Sequence, residues 1–139
     1  MNVLLSIRPE YAEAIFRGTK RYEFRRTIFK NEDVTTIYLY ANSSLQRIVG
    51  HFDVGQIIRT APKELWARFN AWAGVSEDRF FQYFDGCELG YAIEVLNPYS
   101  YQPPVNPYLL FDDFKPPQSF YYFSKEQLAV MEARPNVLP

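Results

Sequence analysis

The sequence predicts an α+β fold, a small barrel of about six strands flanked by short helices. Two observations carry this. Segments that alternate apolar and polar residues lie on both sides of a central helical stretch, and they do not take turns with helices as a doubly wound parallel sheet requires. The chain has 139 residues, 18% of them aromatic, which supplies large side chains for one core in a single domain spanning residues 1–139.

The elements follow in order. Asn2 to Ile7 reads as a short apolar strand. Pro9 suits the first turn of a helix, Glu10 and Glu13 favour its positive end, and Tyr11, Ala12, Ile15 and Phe16 form one face. Arg17 and Gly18 supply the stop signal. From Arg21 to Arg26 the pattern alternates, with Tyr22 and Phe24 on one side and Arg21, Glu23 and Arg25 on the other. A turn at Asn31 to Asp33 leads to a strand over Val34 to Ala41 that is apolar enough to be buried on both faces. The next strand runs from Arg47 to about Arg59. Its inward set of Ile48, Gly50, Phe52 and Val54 changes phase after Gly55, the mark of a bulge.

Thr60 is the expected cap of a helix with Leu65, Trp66, Phe69, Trp72 and Ala73 along its apolar stripe, ended by Gly74. Ser76 starts another helix, with Phe80, Phe81 and Phe84 inward and Gly86 closing it. Leu89, Tyr91, Ile93 and Val95 alternate as a strand. Six of the ten prolines lie between Pro98 and Pro117, which predicts an extended surface loop there. Ser119 to Phe123 returns as a strand, and Ser124 with Gln127 forms a capping box for a final short helix.

Composition narrows the chemistry. The net charge is −1, yet residues 1–30 carry +4 and the remainder −5, so one face can attract anions. Cys87 and His51 are each the only residue of their kind, which argues against a disulfide framework and against a zinc site. No apolar run reaches the ~20 residues of a membrane span, and the first strand is too short and too polar-flanked for a signal peptide. The expected setting is a reducing cytoplasm, with no membrane partner, metal or cofactor. Nothing in the sequence sets an oligomeric state.

The run SIRPEYAEAIFRGTKRYEFRR, residues 6–26, resembles the N-terminal signature of the ASCH domain, a branch of the PUA-like superfamily. That signature is a short strand, a Pro-capped helix, a Gly-x-Lys turn, and a strand carrying Glu or Thr followed by Arg. IYLYANSSLQRIVGHFDVGQII, the tryptophan helix, DGCELGYAIEV and PPQSFYYF look like the same single-domain bacterial, archaeal and phage type. The resemblance implies a β-barrel with a cleft between the barrel and the first helix. It also implies a module that binds RNA or a modified nucleotide, in transcription- or translation-related regulation. Some ASCH proteins are small amidohydrolases acting on acylated nucleosides, and nuclease activity on single-stranded RNA has been attributed to others. The amidohydrolase pattern G-x-K-x-x-T-x-R is matched here at Lys20 and Arg25. Glu23 replaces its Thr nucleophile, so that mechanism does not carry over.

Lys20, Glu23 and Arg25 are the central candidates, because the turn brings Lys20 toward the strand face that Glu23 and Arg25 share. In a binding cleft, Lys20 and Arg25 contact phosphate and Glu23 accepts a hydrogen bond from an exocyclic amine or ribose hydroxyl. In an enzyme, Glu23 activates water and Lys20 stabilises the developing oxyanion, giving a metal-independent hydrolase. The same three residues also suit a structural salt-bridge network. Tyr40 is expected to stack on a base. Ser6, Arg8, Ser43, Gln118 and Ser119 complete the expected binding residues, with Gln118 and Ser119 as cleft walls by resemblance only. The 98–118 segment, carrying Tyr99, Tyr101 and Tyr108, is a further candidate surface for a protein partner.

Overall fold

The computed structural model describes residues 1–134, and alternation in its first strand, β1 (Asn2–Ile7), sets up the arrangement. Val3, Leu5 and Ile7 enter one core cluster with Ile37, Leu39, Phe52, Ile93 and Val95. Leu4 points the other way, into a second cluster with Tyr40, Ile48, Phe111, Phe123 and Met131. A strand with both faces covered in this way stays apolar along its length.

The sheet is mixed and six-stranded, in the order β2-β5-β4-β3-β1-β6. Its other strands are β2 (Tyr22–Arg25), β3 (Thr36–Ala41), β4 (Arg47–Thr60), β5 (Gly90–Val105) and β6 (Phe120–Tyr122). β1 pairs parallel with β3, and the remaining pairs are antiparallel. The sheet curls into a half-barrel. Its two edge strands, β2 and β6, come close enough for Arg25 on β2 to hydrogen-bond Ser119, which directly precedes β6.

Helix α1 (Pro9–Arg17) opens on Pro9. It closes at Gly18, whose φ of 83° is a conformation that costs glycine little and whose N–H reaches the last carbonyls of the helix. Ala12 and Ile15 of α1 join the first core cluster. Between β4 and β5 lie α2 (Pro62–Phe69), a 3₁₀ turn (Asn70–Trp72) and α3 (Glu77–Tyr83). Leu65, Phe69, Phe80 and Phe84 from this insertion form a third cluster with Phe24 of β2 and Ala92 of β5. The single-turn α4 (Pro107–Leu110) and the terminal α5 (Lys125–Ala133), with its Ser124–Gln127 capping box, complete the fold. No described helix is long and apolar enough to cross a membrane.

Four expectations need correction. The proline-rich stretch is not all loop, because β5 continues to Val105. Pro98, Pro103 and Pro104 fall at irregular positions, while Tyr99, Ser100 and Val105 keep register with β4. The prolines' missing N–H groups therefore break no ladder bond. Ile48 and Phe52 do not share one inner face: Ile48 lies in the second cluster and Phe52 in the first. Register shifts around Leu39/Tyr40 and Ile48/Gly50 account for this, since one extra residue turns every following side chain to the other face. Finally, Ala61 rather than Thr60 precedes the second helix, with Pro62 at its first position, and Trp72 stays 43% exposed beneath Arg21.

Candidate functional site

Lys20 emerges from the turn that Gly18 makes, its own N–H donating to the Ala14 carbonyl at 3.1 Å. Its side chain runs over Gly74, where a Cβ would stand 2.5 Å from the Cβ of Lys20. The chain ends with Nζ donating to the Ala73 carbonyl at 2.7 Å and 3.5 Å from Glu23 Oε1. The rings of Phe24 and Tyr11 lie 5.0 and 5.4 Å from Nζ. Lys20 and Glu23 are almost wholly shielded, at 2% and 5% exposure. Burial pushes the Lys20 ammonium below its ordinary pKa of 10.5, opposed by the Glu23 carboxylate and reinforced by Arg25.

Arg25 engages the other carboxylate oxygen, with Nη1 3.3 Å from Glu23 Oε2. The same nitrogen donates to the Ser6 carbonyl at 3.4 Å, and Nη2 donates to Ser119 Oγ at 2.5 Å. Ser6 N–H in turn donates to the Ser119 carbonyl at 2.8 Å, and Ser6 Oγ accepts from Asn42 Nδ2 at 3.2 Å. Arg25 thus ties β2 to the β1 and β6 side of the sheet. Its planar fork suits this task because separate N–H groups reach separate acceptors. A buried charge cluster of this kind gains little net stability from burial itself and is costly to leave half complete.

These residues form the floor of a cleft of about 1070 Å³. Ser6, Arg8, Lys20, Glu23, Arg25, Gln118 and Ser119 all line it, so most of the sequence-derived site is brought together. Tyr40 is not among them. It is 2% exposed, with its ring tilted against Phe114 and its hydroxyl 2.8 Å from that of Tyr108. The stacking role expected of Tyr40 has no free ring face to use, because the same register shift directs it into the second core cluster. Ser43 also lies outside the lining, at a φ of 58° with Oγ donating to Asn42 Oδ1; its neighbour Asn42 lines the cleft instead.

The opposite wall was not foreseen from the sequence. α3 contributes Arg79, Gln82 and Tyr83, and Cys87 follows it. Arg26 lies 4.8 Å from the Tyr83 ring centre, and its backbone N–H donates to the Tyr83 hydroxyl. The signal was available: on a helix whose Phe80 and Phe84 face inward, Arg79 and Tyr83 occupy the adjoining stripe. Among the described residues the lining carries five cationic side chains, Arg8, Lys20, Arg25, Arg26 and Arg79, against one carboxylate, Glu23.

Residues 5–104 match the profile of the ASCH domain family. A relative from Zymomonas mobilis subsp. mobilis named "ASCH domain-containing ribonuclease" is 32% identical over 129 residues, covering 89% of this chain and 85% of the relative. The crystal structure of ASCH from Zymomonas mobilis superposes with a TM-score of 0.87 at 27% identity, over 95% of this chain and 94% of that one. The N-terminal domain of Staphylothermus marinus McrB shares the fold at a TM-score of 0.60 and 12% identity, over 96% and 94% of the two chains.

Proposed function

This chain belongs to the ASCH domain family, and on that premise we propose that its cleft binds single-stranded RNA through the phosphate backbone. The observation that carries the reading is the charge of the lining. Five cations face one carboxylate in a chain whose net charge is −1, and a concave cationic surface concentrates anionic ligands. That carboxylate is already engaged at both oxygens, by Lys20 and by Arg25. Arg8, Arg26 and Arg79 lie on exposed ground at the rim, where phosphates can reach them without desolvating a buried pair. The cleft is roomy enough for an unpaired nucleotide, whose base edges are accessible as those of a duplex are not.

A second reading is favoured by the Zymomonas mobilis relative: the cleft also cleaves the strand it binds. In that case Glu23 would take the proton of the adjacent ribose 2′-hydroxyl after phosphate draws Arg25 away from it. That oxygen would bond to phosphorus as the P–O5′ bond breaks, the 5′-oxygen leaving with a proton from water, and Lys20 would balance the charge developing on the non-bridging oxygens.

The test uses labelled single-stranded and duplex RNAs with EDTA at low salt, run on native and denaturing gels beside Arg26→Gln and Glu23→Gln proteins. A shifted, intact strand that Arg26→Gln weakens supports binding alone. Shortened products lost in Glu23→Gln, while that protein still shifts the intact strand on the native gel, support cleavage. RNA that neither shifts nor shortens overturns both.

A further inference from the structure

A second cavity, of about 370 Å³, is walled by Tyr99 and residues 101–105 of β5, by Asn106 and α4, and by Arg134 beyond α5. That volume lies in the range of small-ligand sites, ~300–1,000 Å³. Among the described residues its lining holds one cation, Arg134, and no carboxylate. The aromatic wall is Tyr99, which remains 60% exposed although it is held from behind. The His51 ring lies nearly parallel to it, at 17° with centroids 5.6 Å apart, and Tyr101 tilts against it. A backed, exposed ring is an ordered platform for another planar group.

The polar groups around Tyr99 are arranged with donors and acceptors left over. His51 Nδ1 and the Tyr101 hydroxyl are 2.6 Å apart. The Arg134 guanidinium lies 4.4 Å from the Tyr101 ring centre and gives one N–H to the Met131 carbonyl. A guanidinium has five N–H groups, so this anchor fixes its position and, among the described residues, leaves others for an anion. Asn106 spends its side-chain oxygen on Tyr108 N–H, keeping its NH₂ as a donor. Gln102 gives one N–H to Ser100 Oγ, keeping its other N–H and its carbonyl available. Free amide N–H groups and a free amide carbonyl match the mixed donor–acceptor edge of a nucleobase, whereas an apolar peptide side chain would leave them to solvent.

We propose that this cavity is a nucleotide subsite. The base stacks on Tyr99, its edge meets Gln102 and Asn106, and its phosphate meets Arg134. The subsite shares no lining residue with the cleft that Lys20 floors, so each stands or falls without the other.

The test is a titration of ¹⁵N-labelled full chain with adenosine 5′-monophosphate, followed by amide NMR at millimolar ligand. Saturable shifts are expected at Tyr99, Gln102 and Asn106. They should weaken about tenfold in Tyr99→Ala and in Arg134→Gln, and about tenfold for adenosine, which lacks the phosphate. The same titration with a short oligoribonucleotide distinguishes the source of the nucleotide: tighter binding of the oligomer assigns the subsite to a strand, and equal or tighter binding of the monophosphate assigns it to free nucleotide. Shifts confined to Lys20, Arg25 and Ser119 would overturn the second subsite while supporting the cleft. Adenosine binding as well as its monophosphate, or an absence of shifts at Tyr99, Gln102 and Asn106, would overturn it as well.

Discussion

Replacing Glu23 by Gln removes the one anion from a buried cluster with two cations and tests whether that cluster is as tightly balanced as its geometry implies. Glu23 lies 3.5 Å from Lys20 Nζ and 3.3 Å from Arg25 Nη1. At an effective dielectric of 20, each such contact is worth about 5 kcal/mol before desolvation. Part of this returns because the amide costs less to bury than the carboxylate, but Lys20 stays buried with only the Ala73 carbonyl as a strong partner. The expected net loss is about 3–5 kcal/mol at neutral pH. With a urea m-value of about 2 kcal/mol/M, the unfolding midpoint should fall by ~1.5–2.5 M. The loss should also depend on pH in a defined direction. Burial already lowers the Lys20 pKa from 10.5, and Glu23 opposes that effect. Without the carboxylate it falls further. Between the lowered folded value and 10.5 the unfolded chain binds more protons, so stability rises with pH across that window and is lost as pH falls through the folded pKa. The gap between variant and wild-type midpoints should therefore narrow on going from pH 7 to about pH 9.5. Adding Lys20→Met to Glu23→Gln should recover most of the loss, because no buried ammonium remains. Midpoints within ~0.3 M of each other at neutral pH, or a gap that widens with pH, would refute the reasoning.

Gly74→Ala should lower stability by about 1–3 kcal/mol, read by urea denaturation, because its φ is 64° and the new Cβ would meet the Lys20 side chain 2.5 Å away. The same variant should weaken RNA binding if Lys20 sets the cleft floor, and unchanged affinity would detach Lys20 from the ligand. For wild-type protein, log affinity for single-stranded RNA should fall linearly with log salt at a slope of about −2 if three phosphates are neutralised. Binding insensitive to salt would rule out a backbone-directed cleft. Ser124→Ala should cost about 1 kcal/mol of stability through loss of the α5 capping box, without affecting RNA binding.

The sequence by itself determined the local elements whose signals are complete within a few residues. Pro9, the Tyr11–Ile15 face and Gly18 delimit α1, the alternation after Arg21 marks β2, and Ser124 with Gln127 marks α5. It also determined that Lys20, Glu23 and Arg25 would meet, because a tight turn and a two-residue strand period leave them little choice. The partners of that cluster were decided only by the tertiary structure. Ala73 reaches Lys20 from 53 residues away and Ser119 reaches Arg25 from 94 residues away, through an insertion packing onto β2 and a sheet curling until its edges meet. Tyr40 shows the same limit from the other side. Its period-2 pattern says that it alternates, but a register shift between strands distant in sequence chose which core it entered. Periodicity encodes which residues share a face, whereas the contacts that assign each face to a core, a cleft or solvent are long-range and depend on how the whole chain closes.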